Sequence, residues 1–394
     1  MASSDKDSPR LPRNVRLLGL ASFLNDVSSE MTFPLIPRFL KEVLGGTAVQ
    51  LGLIEGLADS TASLLKLWSG GWSDRAGSRK AFVVVGYGLT ALVRPFAGLA
   101  TMPWHLVAVR FTDRFGKGIR GAPRDALVVD STEKRQLGLA FGYQRAMDHL
   151  GAAVGPLLAF AFLFFFPGEL RWLFLLTLVP GLLVLWLLAT GLREPPQHER
   201  KREPFSLSLR PFDGNFRLYL VAMFVFTLGN SSDAFLLQRA SELGVADQWL
   251  PILWFAFHIV KSAGSLAAGA AVNRLGTRIM ILGGWLVYAV TYLCFGLATE
   301  AWQVWALFLI YAVYYCVTEP IEKKLVADIV GDKRKGLAFG WFNFAVGIGA
   351  LPASLLFGTL HEIYGPFAAF SVGAGLALVA AGLMLYVRPH HAEA

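Results

Sequence analysis

Twelve stretches of about 20 apolar residues, separated by short polar turns, run through this chain of 394 residues. They cover, to within a few residues, 16–44, 50–72, 80–101, 103–121, 137–166, 171–192, 216–240, 249–272, 278–298, 302–320, 336–359 and 365–388. Each is long enough to cross a hydrocarbon layer of roughly 30 Å as a helix, and only helices or closed barrels can do so with every backbone polar group satisfied. A soluble domain carries about a quarter charged residues. Here 55% of residues are hydrophobic and 16% charged, which excludes soluble-enzyme, collagenous and disordered classes. Cys294 and Cys316 both lie inside apolar runs, so neither a disulfide framework nor a metal-type spacing is present.

The connections alternate in charge. Residues 1–15, 74–80, 114–135, 193–217, 274–278, 322–335 and 388–391 hold most of the Lys and Arg, whereas 101–105, 166–171, 298–301 and 361–366 hold few. Basic segments stay on the cytoplasmic side, so both termini are expected inside the cell membrane. The net charge of +8 follows from this topology, and no nucleic-acid partner is expected. The longest polar stretch, 193–215, contains Glu194-Pro195-Pro196 and Arg200-Lys201-Arg202 and reads as a flexible linker between bundles at 16–192 and 216–388, with tails at 1–15 and 389–394.

The two halves repeat. Gly138-Leu139-Ala140-Phe141-Gly142-Tyr143 recurs as Gly336-Leu337-Ala338-Phe339-Gly340-Trp341, and Leu127-Val128-Val129-Asp130 as Leu325-Val326-Ala327-Asp328, both offset by 198 residues. Gly70, Arg75, Gly77 and Arg79 match Gly269, Arg274, Gly276 and Arg278 at an offset of 199. Two copies of one six-helix unit are expected.

The turn Gly70-Gly71-Trp72-Ser73-Asp74-Arg75-Ala76-Gly77-Ser78-Arg79-Lys80 resembles the loop 2/3 signature of the major facilitator superfamily, with every fixed position matched. The resemblance covers essentially the whole chain and is nearest to the drug/proton-antiporter-like members with twelve spans. It implies an all-α membrane protein of two pseudo-symmetric six-helix bundles. It also implies that Gly70, Asp74, Arg75, Gly77 and Arg79 form a gate latch that docks the first half near Gly336. The arginines are expected to pair with carboxylates across the interface. In the second copy Asn273 stands in place of Asp74, so the latch should be asymmetric. Gly151, Gly155 and Pro156 resemble part of the exporters' span-five motif, although Phe160 replaces its last glycine. From the helix-four motif only Arg110 carries over.

Ionisable residues inside spans cost at least about 2.5–3.5 kcal/mol each, so they are candidates for function. Asp26 and Glu30 share one face of the first helix, and Glu55 and Asp59 one face of the second. Arg110, Asp113 and Arg114 lie on the fourth, and Arg145, Asp148 and His149 on the fifth. The acidic helices are expected to face the basic ones. Asn25, Asn230 and Asp233 add polar groups near the midplane, and the tyrosines at 311, 314 and 315 read as packing.

The expected function is secondary active transport by alternating access, with proton-coupled efflux of a small organic solute. Asp26 and Glu30 are the proton carriers of that reading. Uptake of an anionic metabolite is the alternative, with Arg94, Arg110, Arg114, Arg145 and Lys261 as its cations. A metal-ion transporter or a non-transporting receptor ranks behind both. No cofactor, metal site, nucleotide-binding motif or catalytic constellation is expected. The partners are a small-molecule substrate, protons and membrane lipid, with the protein a monomer.

Overall fold

The computed structural model describes residues 11–133, 136–194, 208–330 and 335–388; nothing is said of the others, so most of both tails and of the linker lies outside the described residues. Among the described residues there is no strand. Fifteen α-helical segments follow one another: α1 (Arg13–Glu30), α2 (Ile36–Arg38), α3 (Ala48–Ala76), α4 (Arg79–Val93), α5 (Pro103–Asp130), α6 (Leu137–Phe165), α7 (Leu170–Leu176), α8 (Leu178–Gly191), α9 (Gly214–Gly229), α10 (Ala234–Glu242), α11 (Trp249–Leu275), α12 (Thr277–Leu297), α13 (Ala301–Val330), α14 (Lys335–Tyr364) and α15 (Pro366–Met384). Among the described residues, eight stretches are long and apolar enough to cross a membrane, including Leu139–Phe165 and Gly214–Glu242.

Local chemistry sets the ends. Thr47 and Gln50 form a capping box at the start of α3, Ser78 accepts from the Ala81 N–H at the start of α4, and Asp213 caps α9 through the Phe216 N–H at 2.9 Å. Pro103 and Pro366 open α5 and α15, where a missing N–H costs nothing. Both copies of the repeated loop put a glycine of positive φ just past a helix end, but they turn differently: Gly77 after α3 is left-handed helical (φ +68°, ψ 15°), whereas Gly276 after α11 is extended (φ +82°, ψ 151°). Glycine adopts either backbone without strain, so the repeat keeps the residue but not the conformation.

Two helices are broken where sequence periodicity predicts continuity. The first apolar stretch stops at Glu30 and resumes through a 3₁₀ turn at Phe33–Leu35 and a π turn at Phe39–Val43. Between α9 and α10 the chain unwinds over Asn230, Ser231, Ser232 and Asp233. Two expected loops are instead helical. Residues 114–130 belong to α5 and 322–330 to α13, so their charges are carried on helix faces.

Helices α1 to α8 pack as one bundle and α9 to α15 as another. Asn14 Nδ2 donates to the Arg193 carbonyl and Ser131 Oγ, both at 2.9 Å, and Asn215 holds Arg388, so the described chain ends share one face of the molecule. We call the opposite face distal. The bundles meet most extensively along α3 and α14, and secondarily along α6 and α11. Gly52 is central to the first seam, because a Cβ there would stand 2.2 Å from the Ser354 carbonyl oxygen.

Candidate functional site

The first bundle holds its charges in a buried network. Arg110 binds Glu55 with two hydrogen bonds, Nε at 3.0 Å and Nη2 at 2.7 Å, and Arg94 donates to Asp113 at 2.7 Å. Asp113 also lies 3.9 Å from Arg110 and 4.0 Å from Arg114. Glu55, Arg94, Arg110 and Asp113 are all buried. Helices α3 and α5 thus pair as expected from acidic and basic faces. Arg94 and Arg110 are consumed by this network and are not available to neutralise a substrate, which corrects the alternative reading at those two positions. Arg120 stacks on Tyr87, with its guanidinium 4.2 Å from the ring centroid, and donates to Thr90 at 2.6 Å.

Helices α1 and α6 do not pair by charge. Gly151 and Gly155 bring α6 against the backbone of α1 at Phe23 and Val27, so both serve a contact inside the first bundle, and Pro156 follows them in the same helix. Asp26 takes a hydrogen bond from Asn25 at 3.0 Å, and its charged neighbours are Asp148, Lys117 and Glu30. Across the bundles, Arg145 has Glu319 as a charged neighbour, His149 has Lys261 and Asp59 has Asp233. Lys261 and Glu319 form an ion pair at 2.8 Å, with the Lys261 ammonium 4.3 Å from the Tyr315 ring centroid.

The unwound turn between α9 and α10 builds the second bundle's site. Tyr311 donates to Asp233 at 2.7 Å, Tyr315 at 3.1 Å, and Asn230 reaches Tyr314 at 3.2 Å. The tyrosines of α13 therefore do more than pack: they hold the carboxylate that the break exposes. Sequence reading treated them as a stripe, because partners on a separate, broken helix leave no local signature.

On the distal face the bundles are locked together. Glu30 accepts from Trp254 Nε1 at 2.7 Å, across the seam, and the Ala48 N–H donates to Glu362 at 2.9 Å. Arg38 pairs with Asp247 and donates to Ser241 at 3.2 Å. Lys41 and His361 flank Glu242 at 3.8 and 3.4 Å, beside a cavity of about 260 Å³. Burial pushes the Asp247 carboxyl up against the pull of Arg38, and Glu42 adds to the rise. None of Arg38, Trp254, Asp247 or Glu362 was singled out from sequence. A charge near a span end reads there as ordinary solvated punctuation. Replacing Arg38 by alanine should loosen this seal. On a background without Cys294 and Cys316, a cysteine at Ala48, now 5% exposed, should label several-fold faster with an impermeant thiol reagent; equal rates would show that Arg38 carries no part of the seal.

The loop expected to latch the other face is only partly described. The side chains of Asp74 and Arg75, the residues at Gly70 and Asn273 and the docking point near Gly336 lie outside the described residues. Among the described residues Arg79 is buried, pairs with Asp130 and donates to the Ala126 carbonyl at 3.1 Å, both within its own bundle. Its spacing from Asp130 in sequence, 51 residues, hides that partner.

Comparison with known proteins places this architecture. The Major Facilitator Superfamily family model matches residues 18–257 and 218–394. An uncharacterized MFS-type transporter of Methanocaldococcus jannaschii is 31% identical over 98% of both chains. The multidrug resistance protein MdtH of Salmonella arizonae is 24% identical over 81% of this chain and 79% of its own. Among solved structures, a bacterial homolog of the human lysosomal transporter Spinster, inward-facing and occupied, superposes with a TM-score of 0.77 at 17% identity, covering 95% of this chain and 96% of the other. The chain belongs to the major facilitator superfamily and is a membrane-embedded transporter.

Proposed function

We propose that the chain is a proton-coupled secondary transporter that exports a small organic solute from the cell by alternating access. Its helical stretches cross the cell membrane twelve times with both termini in the cytoplasm, so the distal face is the outer one. The observation that carries the coupling is the Glu30–Trp254 hydrogen bond, which joins the two bundles at 2.7 Å. Opening the distal face must break it, and the carboxylate then meets the outer solution. A carboxylate with a partner in only one of two states links protonation to conformation. Asp26, one turn away on α1 and with Lys117 as a charged neighbour, takes the proton from Glu30 and releases it to the inner solution, with the Lys117 ammonium favouring its ionised form there. Export is supported by the partial span-five motif and by the likeness to proteins named for multidrug resistance.

The test needs no known substrate. With the reporter cysteine at Ala48, acidifying the outer solution should raise labelling of the wild type, and Glu30→Gln should flatten that response while leaving expression intact. A response that survives Glu30→Gln would assign it to another group, Asp247 first, and would refute the coupling role of Glu30.

A further inference from the structure

Three lysines on three helices lie among the charged groups between the bundles and, among the described residues, take part in no ion pair. Lys117 lies at the middle of α5, Lys66 about 6 Å from the middle of α3, and Lys323 about 11 Å from the middle of α13. Positions so far inside their helices do not belong to the basic loops that set orientation. All three are nonetheless exposed. Lys117 has Arg114, Lys66, Asp26 and Arg120 as charged neighbours, and Lys66 has Lys323, Arg124, Asp125 and Arg114. Exposure combined with charged neighbours on α1, α3, α5 and α13 is what side chains directed into the space between the bundles would have.

Carboxylates nearby are otherwise engaged. Asp125 pairs with Arg124 at 3.1 Å, Glu319 with Lys261 at 2.8 Å, and Asp113 with Arg94. Asp26 is the one acidic neighbour of Lys117 and is hydrogen-bonded only by the neutral Asn25 amide among the described residues, and Glu322, beside Lys323, accepts from Trp285 at 3.3 Å. Among the described residues, Lys66, Lys117 and Lys323 form no ion pair or hydrogen bond. Lys324 shows the contrast, since it is paired with Asp328 at 2.7 Å on the outer side of the same helix. Lys66 and Lys323, ammonium groups on opposing bundles that form no ion pair among the described residues, repel one another across the seam. An anion placed between them would turn that repulsion into attraction and draw the bundles together on the face of the chain ends, which is the movement a bound solute must produce in an alternating-access cycle.

We propose that the transported solute is a small organic anion, bearing a carboxylate or phosphate, held by Lys66 and Lys117 of the first bundle and Lys323 of the second. This rests on the transport reading above and names its substrate class. The test uses the purified full chain in detergent with citrate, benzoate and glycerol phosphate as anion probes, tetraphenylphosphonium as the cation and glucose as the neutral control, at constant ionic strength. At least one anion should raise the melting temperature at concentrations up to about 10 mM. Lys66→Gln, Lys117→Gln and Lys323→Gln should each weaken it about tenfold, Lys117→Arg should retain it, and Lys324→Gln should leave it unchanged. Stabilisation by the cation or by glucose alone, anion binding indifferent to the three lysines, or no shift with any anion overturns the proposal. The two failures are separable. If the Ala48 reporter responds to outer acidification while no anion binds, only the substrate class falls; if the reporter never responds, the coupled-transport reading falls with it.

Discussion

Glu55→Ala is expected to destabilise the protein more than any other single change at these charges. Glu55 is 1% exposed and is the only partner making two hydrogen bonds to the Arg110 guanidinium among the described residues. Its removal leaves a buried cation with Asp113 at 3.9 Å as its remaining near carboxylate, and Asp113 is already held by Arg94. Breaking a buried pair from one side costs about 3–5 kcal/mol, because the abandoned charge keeps its desolvation penalty. The variant should melt far below the wild type in detergent. Replacing both partners, Glu55→Leu with Arg110→Met, should recover most of the loss, since no charge is then stranded. A Glu55→Ala protein that melts with the wild type would mean that water reaches Arg110, and the network would lose its structural role.

Gly52→Val should have the largest effect on conformation. In the distal-closed state a Cβ at residue 52 overlaps the Ser354 backbone carbonyl, and Gly358 meets the Ala48 carbonyl oxygen at 2.5 Å in the same way four residues nearer the distal end. Overpacking costs about 1–3 kcal/mol even where side chains yield. Here the obstacle is backbone on both helices, so the upper end applies, roughly a hundredfold shift toward the state in which α3 and α14 separate distally. A cysteine at Ser241 should report it by faster labelling from the outside, and transport should fall because the carrier cannot complete its cycle. Labelling at the wild-type rate would show that α3 and α14 slide without parting.

Both predictions concern residues whose significance the sequence states unequally. Glu55 and Arg110 were legible, because a charge within an apolar run has to find a partner, and the i, i+4 spacing puts Glu55 and Asp59 on one face. Gly52 and Gly56 carry the small-x-x-x-small spacing of a close helix contact, yet that signal names no partner helix. Arg79 shows the opposite case. Its motif is unmistakable, yet nothing in the sequence points to Asp130, which comes to it through the packing of α4 on α5. Lys323 lies past the end of its predicted span and Lys117 near the end of its own, so each reads as a loop marker until the helix is seen to extend past it.

The sequence by itself determined the chain's helical membrane class, its twofold repeat and the family, because these depend on apolar run length, on Gly and Pro placement and on self-similarity, all of which are local or linear. Only the tertiary structure decided where α1 and α9 break, which arginines are spent on buried carboxylates, and that Glu30 reaches Trp254 in the other bundle. Those outcomes depend on which helix faces are brought within a few ångströms, and hydrogen bonds and ion pairs act only over that range.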